Sequence, residues 1–184
     1  DTQEHQFIQF YEYLVEKNKV MNLTGITEFD EVLVKHFLDS LCCVKATDMT
    51  KAKKVMDIGT GAGFPGVPLK IAFPHIEACL LDSLNKRVEF LEETCALVGL
   101  ENITAIHGRT EEFAKNKVYR EQYDLCVSRA VSGLATLSEY CLPYVKKGGI
   151  FVSYKSGSVQ EEVEAAKRAV EILGGKIRDV QYFE

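Results

Sequence analysis

The chain has 184 residues, 46% of them hydrophobic, and a formal net charge of −5. That is enough apolar sequence for one full core, and no apolar run reaches the roughly 18–20 residues a membrane-crossing helix needs. The acidic balance argues against a surface broadly coated by nucleic acid but leaves room for a local basic patch. No basic segment with an apolar stretch behind it marks a secretory leader. The chain starts at Asp1 rather than a methionine, so further sequence ahead of it is expected. Its six cysteines (42, 43, 79, 95, 126 and 141) form neither a C-x-x-C pair nor a Cys/His ligand spacing. They read as small apolar side chains in a reducing cytoplasm, with no disulfide and no metal expected.

In chain order, Phe7, Phe10, Tyr11, Leu14 and Val15 recur at helical spacing, which predicts an amphipathic first helix. Turn formers at 18–25 break that period, and Thr27 followed by Asp30 reads as the cap of a second helix. Its apolar face runs through Phe29, Val32, Leu33, Phe37 and Leu41 to about residue 44. Residues 1–45 therefore read as a small helical appendage ahead of an α/β domain at 46–184. Within the appendage, His36, Asp39 and Ser40 share one helical face. The spacing fits a local hydrogen-bonded cluster that pins the appendage down, and equally a ligand-facing set.

From residue 53 strands and helices alternate. Strands are predicted at 54–58, 76–81, 102–107, 123–128 and 150–154, with a sixth beginning over 176–183. Helices fall between them at 67–73, 86–98, 134–144 and 159–173, and Gly99 and Gly174 supply stops. The continuous apolar strand ending in Asp82 is typical of a parallel strand covered on both faces. Such alternation predicts a doubly wound sheet, with ligands outside the carboxyl ends of its strands.

Those ends carry the candidate site. The turn after the first strand has glycine at 59, 61 and 63, where backbone can approach a ligand closely. Gly59-x-Gly61-x-Gly63 suits an S-adenosylmethionine site, and Gly61-x-Gly63-x-x-Gly66 matches a dinucleotide fingerprint. Asp82 closes the second strand, where a carboxylate accepts from ribose hydroxyls in either class. Asp57, two residues before the first glycine, favours the methyl donor: an open carboxylate there repels a pyrophosphate and attracts a cationic sulfonium. The alternative for Asp57 is the capping of nearby backbone N–H groups. Thr110 and Glu111 follow the third strand, either meeting an adenine edge or capping a short helix. Arg129 ends the fourth strand beside the cleft, free for a ligand or paired with Asp124 or Glu111.

Taken together, Met21-Asn-Leu-Thr24, His36-x-x-Asp39-Ser40, Asp57-Ile-Gly-Thr-Gly-Ala-Gly-Phe-Pro-Gly66, Leu81-Asp-Ser, Lys86-Arg-Val-x-Phe-Leu91, Gly108-Arg-Thr-Glu-Glu and Ser128-Arg-Ala resemble the glucose-inhibited division protein B family over nearly the whole chain. The resemblance implies a Rossmann-like class I methyltransferase that uses S-adenosylmethionine on guanine N7 of 16S ribosomal RNA. It also implies cofactor contacts at Gly59, Phe64, Thr110, Glu111 and Arg129, with Arg129 close to donor and target alike. Thr110 stands where that family often has alanine. The family also continues through one more strand beyond Glu184, so the last sheet pairing is expected to be absent. No general base is needed, since N7 already carries a lone pair in the neutral base. The expected substrate side comprises His36, Asp39, Arg129 and Lys155, with Lys17, Lys19 and Lys35 completing an RNA-binding patch on naked RNA or the small ribosomal subunit. Two other classes stay open on the residues alone: a nicotinamide-dinucleotide-dependent oxidoreductase, and a non-catalytic RNA-binding module on the same fold.

Overall fold

The computed structural model describes residues 1–183. Helix α1, Thr2–Met21, begins where the Asp1 carboxylate accepts from the Gln3 N–H at 2.8 Å while Glu4 completes a capping box. It ends at Asn22, which takes the left-handed conformation at φ 51°. The predicted stripe faces inward, and Phe10 and Leu14 are fully buried. A second helical run, α2, covers 29–45 in four pieces: Phe29–Val32, a π-helical Leu33–Leu38, Asp39–Leu41 and a 3-10 turn Cys42–Lys45. Thr27 does not cap it. Glu28 holds that position without a side-chain bond, and the Thr27 carbonyl accepts the Tyr11 hydroxyl at 3.0 Å.

Five strands follow: β1 Lys54–Ile58, β2 Glu77–Asp82, β3 Ile103–His107, β4 Tyr123–Arg129 and β5 Val145–Tyr154. All pair in parallel, in the order β3-β2-β1-β4-β5. Helices α3 (Gly66–Ala72), α4 (Asn85–Val98), the short α5 (Thr110–Phe113), α6 (Leu134–Cys141, then a 3-10 turn Leu142–Tyr144) and α7 (Gln160–Ile172) connect or follow them. The order reverses between β1 and β4, so the crevice outside their carboxyl ends is the switch point of the sheet. With every strand parallel, the residues that end all five lie along one edge.

Alternation along β1 and β2 sends side chains to two apolar layers. Met56, Ile58, Cys79 and Leu81 pack with Leu137, Cys141 and Tyr144 on one face. On the other, Leu80 joins a cluster made of Phe10, Leu14, Val32 and Phe37 from the helical appendage with Phe64, Val67, Phe90 and Leu91 from the α/β core. The appendage thus shares a core with the glycine loop. Burying Phe10 and Leu14 alone is worth about 1.5–3 kcal/mol each, which fixes where α1 sits.

Two expectations are corrected here. The fifth strand, predicted at 150–154, begins at Val145, and Lys146-Lys-Gly-Gly lies inside it as an irregularity, with Tyr123 paired to Val145 and Leu125 to Ile150. The predicted sixth strand at 176–183 does not form; that stretch is unpaired and irregular. A strand is held by its neighbour's backbone, and no described strand lies beside this one. Val180, Tyr182 and Phe183 are exposed in consequence.

Candidate active site

The loop leaving β1 is fixed by two backbone bonds, from the Gly59 and Thr60 N–H groups to the Leu81 carbonyl, at 2.8 and 3.2 Å. Gly59 and Gly61 both take φ values in the left-handed region, 67° and 61°. Such values cost an L-residue roughly 1–2 kcal/mol. They differ in what surrounds them. A Cβ on Gly59 would come within 2.5 Å of the Val131 Cγ2, whereas one on Gly61 meets nothing within 4 Å. Gly61 therefore turns a bare backbone face to open space at the switch point. Gly66 serves packing instead, since a Cβ there would come within 2.3 Å of Leu80.

Asp57 does not stand open at the strand mouth. It is fully buried beneath the loop, and its Oδ2 accepts from the Thr60 hydroxyl and the Gly66 N–H, both at 2.8 Å. Its Oδ1 has no partner among the described residues. Burial pushes this carboxyl up to about 7, against the pull of Thr60, Gly66 and Arg129. The capping alternative is what the side chain does, and no open carboxylate stands there to attract a sulfonium or repel a pyrophosphate.

Asp82 ends β2 only 3% exposed. One oxygen accepts from the Gly61 N–H and the other from the Leu84 N–H, both at 2.9 Å, and Arg87 stands 3.6 Å away. Asp82 thus ties the second strand end to the glycine loop, and each oxygen keeps a further lone pair for a ligand donor.

Thr110 opens α5. Its hydroxyl faces inward, 3.3 Å from the Tyr140 carbonyl and 3.2 Å from the Tyr144 hydroxyl, which donates to the Thr110 carbonyl at 2.6 Å. A contact from Thr110 to a ligand therefore falls to its backbone N–H, a helix-first donor with no intrahelical acceptor. Glu111 is exposed, with Arg109 at 3.5 Å. Lys155, just after β5, is held by Glu162 at 2.7 Å and by the Ser132 carbonyl.

The remaining candidates converge. Arg129 pairs with Asp39 at 2.8 Å, donates to the Lys35 carbonyl at 3.3 Å and reaches His36 Nδ1 at 3.1 Å. Its guanidinium sits 5.0 Å above the Phe64 ring, and its side chain is 16% exposed. His36 stacks on the same ring at 4.5 Å. Phe64 is 5% exposed and wedged against Phe10 and Phe37, so its ring supports Arg129 and His36 from below. A guanidinium only donates, so a bond from Arg129 requires Nδ1 of His36 as its acceptor, while Nε2 lies 2.7 Å from the Thr24 hydroxyl oxygen. Burial and the nearby Arg129 charge hold His36 below its ordinary value, which keeps it neutral.

Sequence reasoning missed Thr24, Thr60 and Val131 as parts of this assembly. The first two lay inside quoted motifs, but only the fold reveals their partners. Val131 gave no signal. The next residue upstream, Ala130, takes φ 56° directly after Arg129, a left-handed value uncommon for alanine.

The architecture with its glycine loop at the switch point is that of a Rossmann-like methyltransferase. A putative O-methyltransferase from Klebsiella pneumoniae superposes with a TM-score of 0.60 at 15% identity, over 91% of this chain and 78% of that one. An O-methyltransferase from Thermotoga maritima gives 0.59 at 16% identity, over 86% and 55%. The family model for rRNA small subunit methyltransferase G matches residues 3–184, and the chain belongs to that family. It is 53% identical to the ribosomal RNA small subunit methyltransferase G of Lachnoclostridium phytofermentans, over 97% of this chain and 75% of that protein. The corresponding protein of Clostridium novyi is 50% identical over 100% and 76%.

Proposed function

We propose that this chain transfers the methyl group of S-adenosylmethionine to N7 of a guanine in 16S ribosomal RNA, in the cytoplasm, on the RNA or the small ribosomal subunit. The observation that carries this reading is the pairing of an open Gly61 backbone face with an Arg129 guanidinium fixed on Phe64 at the neighbouring strand end.

The residues fit the donor. The open side of Gly61 admits a ligand against bare backbone, and Gly59 and Gly63 shape the same turn. Asp82 has acceptor capacity left for ribose hydroxyls, and the Thr110 N–H with Glu111 lies at the next strand end for an adenine edge. When bound, S-adenosylmethionine supplies an electrophilic methyl group on a sulfonium. The chain's own part is positioning. Guanine N7 offers a lone pair in the neutral base, so no residue has to remove a proton. Rate then comes from holding two reactants in line and excluding water.

In this reading Arg129 donates to guanine O6 and leaves N7 clear for the methyl group. The common bidentate grip on both O6 and N7 would block the nucleophile. His36 and Asp39 spend two sides of the guanidinium, which limits the grip it can make.

The test is incubation with methyl-labelled S-adenosylmethionine and small-subunit RNA or particles from cells lacking the modification. Label should appear on one guanine and be recovered as 7-methylguanine. Replacing Arg129 by alanine should cut the rate at least tenfold, the scale of a lost hydrogen bond to a charged group. Absence of label on any RNA or particle refutes the proposal.

A further inference from the structure

Helix α6 starts at Gly133, which has no side chain to cap it, so its first free N–H needs an acceptor from another element. Glu162 of α7 supplies one: its Oε1 accepts the Leu134 N–H at 2.6 Å. The same oxygen holds the Lys155 ammonium at 2.7 Å, and the ammonium also donates to the Ser132 carbonyl. Every donor in this set is an N–H and every acceptor a carboxylate or carbonyl oxygen, so each bond has one possible direction. The carboxylate is anchored from behind. Glu162, Ala166 and Val170 lie four apart on α7, and the last two are buried against the core. The Lys155 ammonium above all, with the Leu134 N–H, holds the Glu162 carboxyl below its ordinary value, which keeps it charged at neutral pH.

What this pair grips is the segment 130–133, between Arg129 at the end of β4 and the first turn of α6. Val131, in its middle, rests on the first glycine of the loop after β1: its Cγ2 lies 2.5 Å from where a Cβ on Gly59 would stand. Val131 is 41% exposed, so its own packing holds it there only weakly. The next residue along, Ser132, is the one whose carbonyl Lys155 takes. Exposed ion pairs are ordinarily worth little, but here the ammonium has two acceptors, the carboxylate two donors, and the side chains are only 21% and 32% exposed.

We propose that Lys155 and Glu162 are positioning residues for the methyl donor: they clamp the 130–133 segment through the Ser132 carbonyl, seating Val131 on Gly59 and presetting the glycine loop. Without the clamp the segment samples lifted positions, and the apparent donor affinity falls by the fraction that remains seated. This rests on the methyltransferase reading for its ligand, whereas the clamp itself is a property of the free protein.

The experiment titrates S-adenosylmethionine calorimetrically in the absence of RNA, so that no contact between Lys155 and a substrate enters the result. Lys155→Met removes the grip on Ser132 and leaves Glu162 to cap α6; affinity should fall about fivefold, the scale of one net hydrogen bond. Lys155→Arg keeps a cation that can donate to both acceptors and should restore wild-type affinity. Methyl-labelled valine reports the seat directly, with Val131 assigned by its loss in Val131→Ala. Wild type should show a nuclear Overhauser contact between the Val131 methyls and Gly59, weakened in Lys155→Met and recovered in Lys155→Arg.

Unchanged affinity in Lys155→Met overturns the proposal, and so does a lowered affinity with the Val131–Gly59 contact intact. If Lys155→Met folds poorly, Glu162→Ala takes its place with the same two outcomes, and a wild-type spectrum without the contact overturns the clamp by itself. Wild-type protein that binds no S-adenosylmethionine overturns the methyltransferase reading and the positioning role, while the Val131 contact in Lys155→Met still decides whether the clamp exists.

Discussion

Asp57 is a carboxyl group with one oxygen engaged, one without a partner among the described residues, and no water-facing surface. Its folded value of about 7 lies above the roughly 3.9 of an unfolded aspartate. Between those values the native state binds more protons than the unfolded chain, so the contribution of Asp57 to stability falls as pH rises. The gap of about three units bounds that loss at roughly 4 kcal/mol, complete above pH ~8. Asp57→Asn keeps an acceptor for Thr60 and Gly66 and removes the titration. Urea unfolding of both proteins at pH 5 and pH 8 should show the wild type losing stability relative to the variant as pH rises. A difference that does not change with pH would mean Asp57 is ionised throughout. His36, held below its ordinary value, acts with the opposite sign, losing stability as pH falls, and it is common to both proteins.

At the scale of elements, the glycine loop gives the cleanest separation of folding from binding. Gly61→Ala forces a left-handed φ of 61° on an L-residue but meets no neighbour. The strain of about 1 kcal/mol should lower the melting midpoint by roughly 2–4 °C. Donor affinity should fall more than tenfold, since the added methyl occupies the open face. Calorimetric titration with S-adenosylmethionine checks it, and an unchanged affinity would remove that face from the donor site. The loop and the first five strands were legible because apolar runs, glycines and terminal carboxylates are local features of sequence. The π-helical Leu33–Leu38 was not, because the spacing of Val32, Leu33, Phe37 and Leu41 fits an ordinary helical stripe equally well. The sixth strand was read from residues able to pair, but pairing is a property of two segments, and no described segment lies alongside. The Arg129 cluster was half legible. His36 and Asp39 share a face by spacing, but their meeting with Arg129 joins residues about 90 positions apart.

Across the whole molecule, the helical appendage and the α/β sheet close over one apolar cluster, so the turn after α1 and the end of β4 are held in fixed relation. That continuity brings Thr24 and Arg129 to opposite nitrogens of the same His36 ring. It also places the lysines of the appendage on the same body as the cleft, which matters for a chain of net charge −5 that has to hold RNA. Each of those lysines has a carboxylate partner: Lys17 with Glu93 at 2.7 Å, Lys19 with Glu16, and Lys35 with Glu31. Exposed pairs of this kind are worth only about 0–1 kcal/mol, so a phosphate competes for the same lysine at little cost. Lys17→Glu with Lys19→Glu should therefore weaken RNA binding and flatten its dependence on salt by about one to two units of log–log slope, one for each phosphate that a lysine no longer neutralises. Filter binding across a salt series measures both quantities. Each reversal sets a carboxylate against the glutamate that the lysine paired with, Glu93 or Glu16, so the melting midpoint should fall slightly, by about 2–4 °C per kcal/mol lost. Binding and slope equal to wild type would take the patch off the appendage and leave RNA affinity to groups nearer the strand ends.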